Sequence, residues 1–303
     1  GGAFMVNDGS RISTYAALLH LTHYDPAWME WKDTEIRFDF ELMNQLIDLL
    51  SDAGFNAVIL DIADAVQYES HPDLKRAYTV PINDLACIAD KAHSQGLEVI
   101  PKLNFAKSNR YMHNWWFRPY CDLPDNAEYF EHAWNLIDEI LGAVTSARRF
   151  HIGMDEDTVR DVSGYCRTIE TFRSGLDARG LETIMWSDVC LDWGQERNQV
   201  LDASFEQLSR EITMILWCYQ EAKPDLVARF VELGYPVWGA HSGEPRYRDI
   251  KKDGQSVAQE WTEAVLSNGA VGLLATLWLP VQPKYRSDWE KLIVASARDF
   301  GLS

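Results

Sequence analysis

Three consecutive carboxylates, those of Asp155, Glu156 and Asp157, follow a short apolar segment that the sequence predicts as a strand. Adjacent acids repel one another, and a fold that holds them at a strand end can use the repulsion to shift their pKa values. A raised pKa is what a carboxylic acid needs to donate a proton near neutral pH. Because neighbouring side chains on an extended chain point to opposite sides, Asp155 and Glu156 can serve two parts of one substrate.

The elements that must position these acids alternate between strand and helix along the chain, as hydrophobic periodicity indicates. The predicted strands are Ala17–Thr22, Ala57–Asp61, Glu98–Leu103, Arg149–Gly153, Thr183–Trp186, Thr213–Trp217, Pro236–Ala240 and Gly272–Trp278. The predicted helices are Phe40–Ala53, Asn83–Gln95, Asn126–Val144, Val162–Arg179, Phe205–Glu211, Pro224–Leu233, Val257–Ser267 and Ser287–Asp299.

Local signals support these boundaries. Asp125, with Glu128 three residues later, predicts a capping box at the start of the third helix. Glycines follow four predicted helices, as C-terminal caps do: Gly54, Gly96, Gly180 and Gly234. Eight strand–helix units predict an α/β fold, a single (β/α)8 TIM barrel over residues 1–303. A doubly wound sheet is disfavoured because no Gly-x-Gly-x-x-Gly turn follows the first strand.

Composition narrows the classes of function. The net charge of −18 argues against binding to nucleic acid, which requires clustered Lys and Arg. The sequence contains no uninterrupted apolar run of about 18 residues, so no membrane span is predicted. The five cysteines are scattered and form no Cys-x-x-Cys pair, so neither a disulfide framework nor a zinc site is expected. We expect a soluble protein without metal or cofactor, cytoplasmic or exported after loss of a leader, and leave the oligomeric state open.

A TIM barrel carries its active site at the C-terminal ends of its strands. The side chains predicted there are polar and aromatic at almost every strand. The residues expected to bind substrate are His23, Asp64, Asn104, Trp186, Asp188, Trp217, Tyr219, His241, Glu244 and Trp278. Three tryptophans among them favour a stacking wall around a sugar ring, although any one alone would suit a core. For Asp157 we expect capping or a bond to Arg160 rather than catalysis.

The segment His151-Ile152-Gly153-Met154-Asp155-Glu156 resembles the His-x-Gly-x-Asp-Glu signature of glycoside hydrolase family 20, the β-N-acetylhexosaminidases. Residues 55–64, 96–101 and 186–188 are similar to the family's second, third and fifth strands. The resemblance implies a substrate-assisted retaining mechanism. In it Glu156 is the general acid/base and Asp155 orients the 2-acetamido group.

The sequence also departs from the family pattern. Residues 20–25 hold no Arg after the first strand, and residues 240–244 hold no Tyr-x-Asp after the seventh. One alternative is therefore a retaining glycosidase on a sugar without an acetamido group. Glu156 would then be the acid/base and Glu244 the nucleophile, with carboxyl groups about 5–5.5 Å apart. A non-catalytic carbohydrate-binding barrel is the other alternative. All three hypotheses predict a glycan or glycoconjugate as the partner.

Overall fold

Eight parallel strands close into a barrel in chain order. The computed structural model describes residues 12–22, 36–108, 113–244 and 254–302, so the predicted contact residue His23 lies outside the described residues. Each strand pairs with the next along the chain, and the first also pairs with the eighth. The strands are β1 Thr14–His20, β2 Ala57–Asp61, β3 Glu98–Lys102, β4 Arg149–His151, β5 Glu182–Ser187, β6 Thr213–Trp217, β7 Val237–Ser242 and β8 Gly272–Thr276.

In the described part of the chain, an α-helix follows every strand of the barrel. The helices are α1 Phe40–Asp52, α2 Ile82–Ser94, α3 Ala127–Ala143, α4 Val162–Asp177, α5 Gln195–Gln207, α6 Pro224–Glu232, α7 Val257–Ser267 and α8 Arg286–Asp299. The predicted (β/α)8 TIM barrel is confirmed. No helix of the described residues is long and apolar enough to cross a membrane.

Side chains alternate between the inside of the barrel and the helix layer, as a strand period of two requires. The inward residues form their own apolar cluster, made of Ala16, Leu18, Ala57, Ile59, Ile100, Ile184, Trp186, Ile215, Trp238, Ala240 and Leu274. Their strand neighbours, such as Val58 and Leu273, pack in the larger cluster beneath the helices. This inward and outward alternation determines which residue at the end of each strand can reach the mouth of the barrel.

Two local predictions were wrong. The fifth helix, predicted at Phe205–Glu211, runs from Gln195 to Gln207. Its first turns are polar and bury little, so they lack the apolar period by which a helix is recognised. The start of α3 is capped by Asn126, whose side chain accepts a hydrogen bond from the Tyr129 backbone N–H at 3.1 Å, and not by Asp125.

Asp125 instead joins an ion-pair network that braces the loops above β3 and β4. It accepts hydrogen bonds from Arg160, and its Oδ1 forms an ion pair with Lys107 Nζ at 2.7 Å. Burial acts to raise the pKa of Asp125, but the two cations outweigh it and lower the pKa to about 2. Asp157 is buried in the same network, bonds to Arg160, and accepts from the Lys107 backbone N–H at 2.9 Å. The expected structural role of Asp157 is confirmed.

Candidate active site

The backbone after β4 is held in an unusual conformation. Gly153, Met154 and Glu156 all have positive φ, of 74°, 75° and 56°. For a residue with a Cβ this left-handed region costs about 1–2 kcal/mol. Such conformations persist only where surrounding contacts enforce them, and they cluster at functional sites. The turn therefore presents Asp155 and Glu156 in a geometry that its neighbours must maintain.

Asn104, just beyond β3, holds the first of the two acids. Its Nδ2 donates to Asp155 Oδ1 at 2.7 Å. Its Oδ1 accepts from the backbone N–H groups of Met154, at 3.2 Å, and Ala106, at 3.0 Å. One buried amide thus fixes both the Asp155 carboxylate and the left-handed Met154 backbone.

His113 holds the second acid. It lies in the long connection between β3 and α3, and its Nε2 is 2.5 Å from Glu156 Oε2 and 3.7 Å from Asp155 Oδ2. The same connection is tied to β3 because Trp116 Nε1 donates to the Asn104 carbonyl at 3.1 Å. His113 was not predicted from the sequence, since nothing periodic surrounds it. The available signal was a lone histidine beside the pair of tryptophans at 115 and 116.

A third carboxylate, Asp188, lies directly after β5. It accepts from the Glu156 backbone N–H at 2.5 Å through Oδ2 and from Trp217 Nε1 at 3.1 Å through Oδ1. Burial raises the pKa of Asp188, and the charges of Asp155 and Glu156 raise it further, while the two N–H donors act in the opposite direction. Asp155, Glu156 and Asp188 therefore form one acid cluster at the C-terminal end of the barrel.

Aromatic side chains wall one side of the acid cluster. The rings of Trp217 and Tyr219 are 5.3 Å apart, and Tyr219 and Trp278 are 6.4 Å apart. Trp278 Nε1 also donates to the Tyr219 hydroxyl at 2.9 Å. Trp186 is only 1% exposed and lies beneath Trp278, with ring centroids 6.0 Å apart. Trp217, Tyr219 and Trp278 thus form the wall, whereas Trp186 belongs to its floor.

A polar layer closes the barrel below. His20, Asp61, Lys102 and His151 are register partners on β1 to β4. Asp61 Oδ2 is 3.0 Å from His20 Nδ1 and 2.9 Å from Lys102 Nζ. Burial, and then the Lys102 charge, hold the pKa of His151 well below its usual value, so its Nδ1 can accept from the Gly153 N–H at 2.9 Å. The layer therefore anchors the beginning of the turn.

Three other predicted contact residues have separate surroundings. Asp64 is buried within the connection between β2 and α2, where it accepts from Tyr78 at 2.8 Å and from Arg76 at 3.4 Å. His241 points to the helix layer, with Nε2 3.0 Å from Ser296 Oγ and its ring against Phe300, so we leave it out of the site. Glu244 is buried just after β7. Among the described residues, no three His, Cys, Asp or Glu side chains form a metal-binding group.

Neither a protein-family model nor a curated protein matches the sequence of this chain. Solved structures do match its fold. The family 20 β-N-acetylhexosaminidase from Streptomyces coelicolor A3(2) has a TM-score of 0.68 at 16% identity over 96% of this chain and 65% of that one. This chain shares its (β/α)8 barrel fold with that enzyme. The chain thus spans less than two thirds of the Streptomyces coelicolor enzyme.

Two further matches agree on the barrel. Dispersin B has a TM-score of 0.59 at 16% identity, covering 94% of this chain and 98% of its own. A variant of Streptomyces plicatus β-hexosaminidase in complex with its product GlcNAc has a TM-score of 0.63 at 16% identity, covering 96% of this chain and 68% of its own. The barrel fold that was implied by the resemblance of residues 151–156 to family 20 is therefore confirmed.

Proposed function

We propose that the protein is a β-N-acetylhexosaminidase-like glycosidase that uses a substrate-assisted retaining mechanism. Glu156 is its general acid/base, and Asp155 orients the 2-acetamido group of the substrate. The observation that carries the proposal is that two adjacent carboxylates at the barrel mouth have different hydrogen-bond partners, Asn104 for Asp155 and His113 for Glu156. Because different hydrogen bonds orient the two carboxylates, they can act on different groups of one sugar.

The contact between Glu156 and His113 supports the acid role. Glu156 Oε2 and His113 Nε2 are 2.5 Å apart, within hydrogen-bond distance. In the proposed reaction His113 is the tautomer without a proton on Nε2, and the Glu156 carboxyl carries the proton of this hydrogen bond. That proton is then transferred to the glycosidic oxygen as the bond from that oxygen to C1 breaks. The resulting carboxylate later takes a proton from the water that attacks C1.

Asp155 acts on the other side of the sugar. Asn104 binds its Oδ1, which sets the plane of the carboxylate. In the proposed reaction the carboxylate accepts the acetamido N–H, and the acetamido oxygen forms a bond to C1 as the leaving group departs. The negative charge of Asp155 stabilises the positive charge that develops on the acetamido group. A fixed carboxylate is worth most here because it needs no reorganisation during the reaction.

The wall of Trp217, Tyr219 and Trp278 supports a carbohydrate as the substrate. Flat aromatic faces bind the apolar faces of pyranose rings, and the half-buried indoles of Trp217 and Trp278 retain exposed area. The Tyr219 hydroxyl adds a polar group at the same place. Burial chiefly raises the pKa of Tyr219, and the charges of Asp155 and Glu244 raise it further, so the phenol stays protonated as a hydrogen-bond donor.

The test is hydrolysis of matched 4-nitrophenyl β-glycosides that carry either a 2-acetamido or a 2-hydroxyl group. We expect cleavage of the 2-acetamido series alone, and strong loss of that activity in Asp155→Asn. Glu244→Gln serves as the matched carboxylate variant and should retain turnover. Cleavage of neither series by the unmodified protein would refute the proposal and would favour a binding barrel if glycans still changed its tryptophan fluorescence.

One observation keeps the second candidate function open. The charge of Glu244 helps to raise the pKa of the Tyr219 phenol, as the charge of Asp155 does. A carboxylate after β7 is suited to be the nucleophile of a retaining glycosidase on a sugar without an acetamido group. In that case Glu244→Gln abolishes turnover of the 2-hydroxyl series, and a covalent sugar adduct can be trapped on Glu244.

A further inference from the structure

We infer that Asp188 is the positioning residue of the general acid: it holds the Glu156 backbone in the left-handed conformation that aims the Glu156 side chain, and it does not bind substrate. The inference rests on the proposed role of Glu156. It replaces the substrate-binding role that the sequence suggested for Asp188. The contacts of its two oxygen atoms carry the inference.

Both oxygens of Asp188 are engaged by N–H donors of the protein. Oδ2 accepts from the Glu156 backbone at 2.5 Å, and Oδ1 accepts from the Trp217 indole at 3.1 Å. The side chain is 2% exposed, so a sugar hydroxyl has little access to it. A carboxylate can accept from both donors at once, whereas an amide must turn its NH2 group toward one of them.

The backbone of Asp188 is fixed as well. Its carbonyl oxygen accepts from Trp193 Nε1 at 2.9 Å, so the start of the β5–α5 connection cannot shift freely. Glu156, with φ of 56°, depends on such an anchor, because a residue with a Cβ otherwise leaves the left-handed region. The β5 strand thereby determines the direction in which a side chain on the turn after β4 points.

Asp188→Asn is the direct test, because the amide is isosteric but meets one N–H donor with its own NH2 group. Asp192→Asn is the matched control. Asp192 is exposed in the same connection and accepts from the Gly194 N–H at 2.9 Å. Activity is measured on 2-acetamido aryl β-glycosides whose leaving groups range from 2,4-dinitrophenol to phenol. A good leaving group departs with little protonation by an acid. A misplaced general acid should therefore slow mainly the cleavage of glycosides that have poor leaving groups.

We expect Asp188→Asn to lower kcat by about a hundredfold on the phenyl glycoside and by less than about tenfold on the dinitrophenyl glycoside, with KM little changed. Asp192→Asn should change neither value. An equal loss of kcat across all leaving groups would overturn the inference, since it would indicate general damage to the site. Should Asp188→Asn fail to fold, Asp188→Glu, which moves the carboxylate by one methylene, carries the same expectation.

A second measurement separates this inference from the proposed function. In the unmodified protein the Glu156 amide proton, bonded to a buried carboxylate, should appear far downfield in NMR spectra and exchange slowly with solvent. It should lose both properties in Asp188→Asn and keep them in Asp192→Asn. If no glycoside is cleaved, the proposed function fails while this readout still decides the contact. A Glu156 amide that is unchanged in folded Asp188→Asn would overturn the inference.

Discussion

Asn104 and Gly153 are in such close contact that a Cβ on Gly153 would lie 2.6 Å from the Asn104 Cα. The backbone just beyond β3 and the turn after β4 therefore touch next to the side chains of Asn104 and Asp155. A glycine is required there twice over, because its φ of 74° is also strained for any other residue. This contact allows one amide to reach both Met154 and Asp155.

Gly153→Ala should separate the two strands at the mouth. A clash with backbone atoms cannot be relieved by a rotamer change, so the Asn104 amide must move away from Asp155. We expect a loss of roughly 2–4 kcal/mol in the free energy of unfolding, from overpacking and positive φ together. Urea denaturation measures it. Gly180→Ala shares the positive φ but meets no atom within 4 Å, so it should cost less. Equal losses in the two variants would refute the contact.

Asn104→Asp should lower kcat by about a hundredfold on a 2-acetamido glycoside. The new oxygen cannot donate to Asp155, and a further carboxylate repels the acid cluster. The control is Asn126→Asp, since Asp caps a helix as well as Asn does and Asn126 lies at the start of α3. Steady-state kinetics of the two variants decide the matter. Unchanged turnover in Asn104→Asp would show that Asp155 needs no oriented donor.

His113→Phe should impair acid catalysis while leaving substrate affinity largely intact. The ring keeps much of the buried volume but cannot bond to Glu156, so we expect kcat to fall by about tenfold to a hundredfold. His93→Phe, at an exposed position in α2, is the control. The measurement is kcat and KM for a phenyl glycoside. A rise in KM at constant kcat would instead place His113 among the substrate contacts.

Stability should fall in mild acid because His241 is buried in neutral form. Burial lowers the pKa of His241 to about 4 from its ordinary 6.5. Below pH 6.5 His241 binds a proton in the unfolded chain but stays neutral in the folded protein. The free energy of unfolding therefore decreases as the pH falls, until the pH reaches about 4. One pKa unit corresponds to about 1.4 kcal/mol, so this histidine accounts for about 3 kcal/mol.

His241→Gln removes the titrating group and preserves a hydrogen bond to Ser296. Thermal unfolding followed between pH 7 and pH 4 should therefore show a shallower loss in this variant than in the parent protein. His151, whose pKa burial also lowers, keeps part of the dependence in both. Parallel pH profiles for the two proteins would contradict the assigned state of His241.

Much of the barrel could be predicted because its strands are buried and its helices amphipathic. The β2 and β6 boundaries, Ala57–Asp61 and Thr213–Trp217, agree with the prediction at both ends. The start of α5 could not be predicted, since its stability comes from packing of Leu201 and Phe205 in its second half. Asn126 replaced Asp125 as a cap because Arg160 binds Asp125 from a distant part of the chain.

In the site, too, features set by the local sequence could be predicted, whereas contacts between distant parts of the chain could not. The position of Asp155 and Glu156 at the barrel mouth could be predicted, because the end of a strand is recognised from the local sequence. His113 could not be placed, since only the fold brings a loop residue to a partner 43 positions away. The orientation of His241 was accessible in principle. Trp238 and Ala240 face inward on β7, so the strand period of two directs His241 outward.

The most direct test of the whole account is the turnover of Glu156→Gln on a 2-acetamido phenyl β-glycoside. Glutamine keeps the size of the side chain but has no proton to give at the required acidity. We predict a loss in kcat of about a thousandfold relative to the parent protein, within the range that general acid catalysis contributes. Glu128→Gln, at an exposed position in α3, should be unaffected. Turnover of Glu156→Gln within about threefold of the parent value would contradict the account.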